Sequence, residues 1–286
     1  MPIAVVTDST AYLPEGWAEQ FAVRTVPLQV NVGGAGAVAE SDFTPRELTR
    51  ALERKQRVTT SGAASEELAK AYQAALDDGA DGVVAVHLSR QLSATWDAAR
   101  LAAREVDPQR IRVVDSRSAA MGLGFPVLAA ADAARRGADL DEVEHTAIAT
   151  AGQTTTLFSV QTLEHLRRGG RIGTAAAVLG TALAIKPVLH VREGRIEVLE
   201  KVRTTSRAMD RMLQAALRSA GTGRAAVAVH HLAAADRAQE LADQLQERLG
   251  NSVSCQISEV GAVIGAHIGP GAVGVVVLPG GWRVPE

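Results

Sequence analysis

Val83-Val84-Ala85-Val86-His87-Leu88-Ser89-Arg90-Gln91-Leu92-Ser93-Ala94-Thr95-Trp96 is the stretch from which the fold class is read. Val83–Val86 predicts a short strand, and Ala94–Glu105 continues it as an Ala/Leu/Arg-rich segment of helical period. Arg112–Val114 then predicts the next strand. Strand, hydroxyl-bearing loop, helix and strand in that order is the pattern of a parallel α/β architecture. The same alternation extends towards the N-terminus, with strands at Ile3–Val6 and Val26–Val30 and helices at Pro45–Arg54 and Ser65–Leu76. On the other side, helices are expected at Gly122–Arg136 and Asp141–Gly152, ahead of a strand at Leu157–Val160.

The second half has a different pattern. Lys186–Val191 and Arg195–Lys201 flank Arg192-Glu193-Gly194, a Gly-containing turn that predicts a β-hairpin. Helices at Ser206–Leu217 and Ala234–Arg248 then alternate with strands at Ala225–His230, Ser252–Ile257 and Val273–Leu278. At 286 residues the chain exceeds the usual size of a single core, so two domains are expected. We place them at residues 1–155, a three-layer α/β/α domain with a parallel sheet, and 156–286, a two-layer α/β domain with a mixed sheet.

Composition excludes several function classes. The formal charge of −2 leaves no electrostatic footprint for nucleic acid, and no basic run stands out. One cysteine, Cys255, rules out an internal disulfide framework and a paired-cysteine metal site. Met1-Pro2 leads straight into a strand, without the basic and apolar regions of a signal peptide, and no run approaches the ~20 apolar residues of a membrane span. A cytoplasmic protein is expected. Aromatic residues make up 3% of the chain, so a large cavity would be walled by Val, Leu, Ile and Ala, which suits an aliphatic ligand.

Three segments carry hydroxyls between a strand and a helix: Thr59-Thr60-Ser61-Gly62, Ser89 to Thr95, and Asp115-Ser116-Arg117-Ser118. Such strand ends line the ligand crevice of α/β sheets, and the following helix N-terminus attracts anions. Ser and Thr are also ordinary helix caps, and on local pattern Thr60 and Ser93 fit either role. Ser65 with Glu66 and Glu67 reads as capping, while Asp8 and Ser9 read as acceptors for local backbone donors.

Gly261-Ala262-Val263-Ile264-Gly265-Ala266-His267-Ile268-Gly269-Pro270-Gly271 sets one His among small and apolar residues. Each glycine costs about 0.5–1 kcal/mol relative to Ala in regular structure, so this density points to a close backbone approach. Arg171, freed by Gly169-Gly170 before it, bridges domains or approaches an anion. Lys201 and Arg203 share one face by the period of two, as plain surface or as a docking patch for an acidic partner. Gly33-Gly34-Ala35-Gly36 is a flexible turn without the strand-to-helix context of a dinucleotide site. No phosphate-loop, nucleophile-elbow or HExxH signature is present, and the adjacent His230-His231 make a poor metal pair, so no metal or cofactor is expected. A Ser93/His267 dyad lacks an evident third residue to orient the imidazole.

Taken together and in order, these segments resemble the DegV family of bacterial fatty-acid-binding proteins. Thr7-Asp8-Ser9-Thr10-Ala11 with Leu13-Pro14 is similar to its opening motif. Thr60-Ser61 resembles the start of its Thr-Ser-Gln-Pro-Ser loop, and Leu92-Ser93 with Thr95 its Leu-Ser-Gly-Thr loop. Val114-Asp115-Ser116, Leu166 to Ile172, Lys186-Pro187, Lys201 with Arg203, and Gly261 to Gly271 follow the later motifs. The chain departs at Gly62-Ala63-Ala64, at Ala94 where the family has Gly, at Ala120 in place of a Ser, and at Ile268 in place of a Thr.

The resemblance implies a long-chain fatty acid buried between two domains, its carboxylate held by Thr60, Ser93, Ala94 and His267. Ser61, Arg171, Arg203 and Gly265 stand at supporting or partner-facing positions. It further implies a non-catalytic binding subunit. Such a subunit presents the acid to a separate ATP-binding kinase subunit, and an acyltransferase of phospholipid synthesis takes the acyl phosphate. From the residues alone, two other readings stand beside it: an acyl hydrolase using Ser93 and His267, and a lipid-sensing regulator that docks through Lys201 and Arg203.

Overall fold

A computed structural model describes residues 2–34, 36–178, 185–250 and 253–283. Its contacts divide the chain into two units. The first comprises Met1–Gln29, Ser61–Gln153 and Trp282–Glu286, the second Val30–Thr60 and Thr154–Gly281. The excursion Val30–Thr60, which a single division after residue 155 places in the first domain, therefore belongs with the second unit.

In the first unit, β1 (Ile3–Asp8) is followed by a short helix α1 (Trp17–Gln20) and β2 (Val23–Val26). The chain crosses to the other unit with β3 (Gln29–Val32), β4 (Ala37–Ala39), α2 (Pro45–Glu53) and β5 (Val58–Ser61). It returns with α3 (Ser65–Asp77), β6 (Gly82–His87), α4 (Thr95–Val106), β7 (Ile111–Asp115), α5 (Met121–Arg135) and α6 (Leu140–Gln153). The sheet has the order β2-β1-β6-β7, and every pairing in it is parallel. All six residues of β6 are buried, as a central parallel strand covered on both faces requires. The α3–α4 pair and the α5–α6 pair supply the two covering layers. Every residue of α5 from Met121 to Ala131 is buried, so this part of the helix is apolar around its whole circumference.

The second unit continues with β8 (Thr155–Ser159), α7 (Glu164–Arg168), β9 (Lys186–Arg192), β10 (Arg195–Val202) and α8 (Thr205–Ala220). Then come β11 (Ala225–His231), α9 (Ala235–Leu249), β12 (Val253–Glu259), α10 (Ala262–Ile268) and β13 (Val273–Pro279). Its six-stranded sheet, β10-β9-β8-β13-β11-β12, is mixed: β11 and β12 are parallel and the other pairings antiparallel. Helices α8 and α9 pack on it around Met212, Leu213, Leu241, Leu245, Val227 and Val275. A separate three-stranded sheet, β4-β3-β5, accompanies α2.

One expectation changes, and one segment left without an assigned element gains one. The single strand expected at Val26–Val30 is two strands in two sheets, because Pro27 has no N–H to continue a ladder. The glycine-rich segment around His267, to which the pattern assigned no element, is a two-turn helix, α10. Ser252, the expected first residue of one strand, and Ala35 of the glycine turn lie outside the described residues.

Candidate functional site

In the second unit, α10 is held by two features of the excursion. Glu40, buried at 7% exposure, accepts the Val263 amide at 2.8 Å and places a carboxylate at the helix start. Gly265 lies flat against α2, where a Cβ would come within 2.4 Å of Leu48 Cδ2. That packing turns the other side of α10 towards α7 and the end of β5.

There, Thr60 Oγ1 and His267 Nε2 are 2.9 Å apart. The Nδ1 atom of the same imidazole is buried and has no hydrogen-bond partner among the described residues. It faces Gly169, at which a Cβ would lie 2.0 Å from Nδ1. Gly169 has φ −77°, open to any residue, so glycine is needed here for space. His165 packs in the same way on Gly269, where a Cβ would sit 2.4 Å from the ring. Burial, with Arg171 and His165 beside it, pushes the His267 imidazole down to about 4, so the ring is neutral at physiological pH. If Nε2 carries the proton, His267 donates to Thr60, and the Thr60 hydroxyl is free to donate to an anion.

Both residues line a cleft of about 510 Å³ with Leu52, Val58, Thr59, Gly169 and Ala266. Lys55, Arg57, Arg168 and Arg171 line it too, and among the described residues no carboxylate does. Arg171 donates to the Gly169 carbonyl at 2.6 Å, which fixes the guanidinium next to the imidazole.

In the first unit, Ser93 and Ala94 stand at the start of α4. Ser93 Oγ accepts the Thr95 amide at 3.2 Å and lies 2.9 Å from Thr95 Oγ1, so it serves as a local cap. The Ala94 amide makes no hydrogen bond among the described residues and remains a donor at a helix N-terminus. Its backbone, φ −76° and ψ 0°, accommodates alanine in place of glycine. Gly62 fits closely here: a Cβ would approach Thr95 Oγ1 to 2.8 Å. Ser61 and Arg203 are exposed.

Asp8 and Ser9 act as backbone acceptors, as expected. Asp8 receives the Thr10 amide at 3.1 Å and the Leu88 amide at 3.0 Å, and Ser9 receives that of Leu28 at 3.1 Å. The residue reading missed the buried chain that continues from Asp8. His87 Nδ1 lies 3.0 Å from Asp8 Oδ2, and its Nε2 lies 3.1 Å from the Tyr72 hydroxyl. All three side chains are fully buried, and desolvation with Asp8 nearby drives the Tyr72 phenol upward. Lys55, Arg57 and Arg168 were also missed as cleft residues, although Gly169, the first glycine of Gly169-Gly170, was an available signal for a crowded site.

A parallel α/β unit and a mixed-sheet unit, with an imidazole–hydroxyl pair set among glycines in the latter, define the class. The family model described as "Uncharacterised protein, DegV family" matches residues 2–280, and the chain belongs to that family. A DegV domain-containing protein of Streptomyces coelicolor is 49% identical over 275 residues, covering 96% of this chain and 98% of that one. A Mycobacterium tuberculosis counterpart is 44% identical over 278 residues, covering 97% of each chain. Among solved structures, a DegV family protein from Thermus thermophilus, described by its fatty acid binding, superposes with a TM-score of 0.91 at 36% identity. That comparison covers 98% of this chain and all of the other. DegV from Bacillus subtilis, described as a fatty acid binding protein, gives 0.88 at 31% identity over 97% of this chain and 99% of its own. No helix among the described residues is long and apolar enough to cross a membrane.

Proposed function

We propose that this protein binds a long-chain fatty acid and holds its carboxylate with the Thr60 and Ser93 hydroxyls, the Ala94 amide and His267. The observation that carries this reading is the Thr60–His267 pair at 2.9 Å, neutral and glycine-lined, beside a cleft whose described lining holds no carboxylate. Relatives described as fatty-acid-binding at 36% and 31% identity support it. The acyl chain supplies most of the affinity, at roughly 0.8 kcal/mol per buried CH₂, and the polar residues fix which end is presented. Ser61, Gly265 and Arg171 support the site, Gly265 by seating α10 and Arg171 by its charge beside the imidazole.

The protein is a binding subunit with no catalysis of its own. A separate ATP-binding kinase subunit phosphorylates the presented carboxylate, and an acyltransferase at the membrane consumes the acyl phosphate. Arg203, exposed just beyond β10, faces the kinase. A nucleophilic serine needs a base on its hydroxyl, and Ser93 has the Thr95 amide and hydroxyl instead, which disfavours the hydrolase reading. In a reconstituted reaction with kinase subunit, ATP and fatty acid, acyl phosphate is trapped as the hydroxamate. Ser93→Ala and His267→Ala should each slow its formation. Unchanged rates in both variants remove these residues from the site, and fluorophosphonate labelling of Ser93 would return the hydrolase.

A further inference from the structure

We propose that Asp8, His87 and Asp115 are positioning residues of the carboxylate site: they hold the turn of residues 88–93 so that the Ala94 amide is a fixed, unused donor. The inference rests on the fatty-acid reading, in which Ser93 and Ala94 meet the carboxylate. Every backbone amide of the turn has a partner. Leu88 donates to Asp8 Oδ2 at 3.0 Å, Ser89 to the Ser118 carbonyl at 2.8 Å, and Arg90 to Asp115 Oδ1 at 3.4 Å. Gln91 donates to Ser89 Oγ at 3.1 Å, and Leu92 and Ser93 donate to the Ser89 carbonyl at 2.9 and 3.1 Å. The next amide along, that of Ala94, is the first without a partner among the described residues.

The anchors come from the end of β1 and from the segment after β6 and β7, and the proposed function gives none of them a ligand contact. Asp8 and His87 end the neighbouring strands β1 and β6, and both are fully buried. Burial above all, with Asp8 nearby, drives the Tyr72 phenol upward, so its hydroxyl keeps its proton and donates to His87 Nε2 at 3.1 Å. A carboxylate only accepts, so His87 Nδ1 donates to Asp8 Oδ2 at 3.0 Å. The Thr10 amide and hydroxyl donate to the other oxygen at 3.1 and 2.5 Å. Asp8 therefore accepts four hydrogen bonds and cannot turn away from Leu88 without breaking several at once. Asp115 also takes the Arg117 amide at 2.9 Å, which ties the turn to the loop after β7. A donor fixed before the ligand arrives loses little freedom on binding, so rigidity of this turn is expressed as affinity for the head group and not for the acyl chain.

Delipidated protein titrated with hexadecanoate and with hexadecan-1-ol, both supplied from cyclodextrin, separates the head group from the tail. The wild type should prefer the acid by about tenfold or more. Asp8→Asn, His87→Leu and Asp115→Ala should each cut that preference about fivefold or more, with alcohol affinity held within about twofold. His87→Asn returns a donor close to the Nδ1 position and should bring the preference back to within about twofold of wild type. In isotope-labelled wild type the Ala94 amide proton should move downfield with the acid and not with the alcohol, and this response should shrink in His87→Leu. Asp115 lies at the outer end of the turn with its side chain 15% exposed, so Asp115→Ala decides the matter if the buried variants do not fold. An undiminished preference in the folded variants overturns the positioning role and leaves the fatty-acid reading intact. Equal losses for acid and alcohol overturn it too, since they mark a merely structural role. A wild type that binds the alcohol as tightly as the acid overturns the carboxylate contacts themselves, and the positioning role with them.

Discussion

His267 keeps a neutral imidazole by burial and by positive neighbours, and that state has a thermodynamic signature. With its proton affinity pushed down to about 4 in the folded chain, the ring stays unprotonated where the unfolded chain takes up a proton. Stability contributed in this way is complete above the ordinary histidine value near 6.5 and is lost as pH falls from there towards 4. His230, buried beneath the sheet surface and also pushed down to about 4, acts in the same direction. Urea unfolding at about pH 7 and about pH 4.5 should show His267→Gln losing less stability on acidification than wild type, by about 2 kcal/mol. Equal losses would mean that the imidazole titrates normally. Thr60→Val removes a hydroxyl of the same shape, and fatty-acid affinity should fall by about 10- to 100-fold if that hydroxyl donates to a carboxylate. Thr60 and His267 were legible as separate signals, a hydroxyl after a strand and an imidazole among glycines. Their contact spans 207 residues, and no local pattern announces it.

At the scale of elements, glycine placement makes the site. Gly169→Ala puts a methyl where the His267 ring lies, so it should weaken fatty-acid binding and cost about 1–3 kcal/mol of stability through overpacking. Gly265→Ala should show a similar stability cost through Leu48, measured by denaturant midpoint. Binding and stability both unchanged in Gly169→Ala would mean that the ring does not occupy that space. Helix α10 itself was hidden by these glycines, since helix propensity argues against them. Packing on α2 and the Glu40 carboxylate override propensity, and neither is visible in Gly261–Gly271. Pro27 was a readable break that the Val and Leu residues on either side of it, Val26, Leu28 and Val30, masked. The parallel core of the first unit was plain throughout, because apolar runs such as Val83–Val86 have no polar alternation to misread.

For the molecule as a whole, the element order was legible and the unit composition was not. The excursion Val30–Thr60 leaves one unit and builds on another through Glu40, Leu48 and Thr60, each meeting partners more than two hundred residues ahead. Leu48→Ala should therefore speed amide exchange in α10 as well as in α2, with a total cost of about 2–5 kcal/mol. Exchange confined to α2 would separate the two helices energetically. The cationic lining was unreadable for a similar reason, because Arg54-Lys55-Gln56-Arg57 looks in isolation like an ordinary solvated turn. Central to the account is that this assembly is a container for an acyl chain. Native mass spectrometry of the protein purified from a heterologous host, wild type beside the Thr60→Val/His267→Ala double variant, tests that claim most directly. The account predicts one fatty acid per wild-type chain, identified after release, and strongly reduced occupancy in the variant. A wild-type chain that stays empty even after incubation with excess long-chain fatty acid would contradict it.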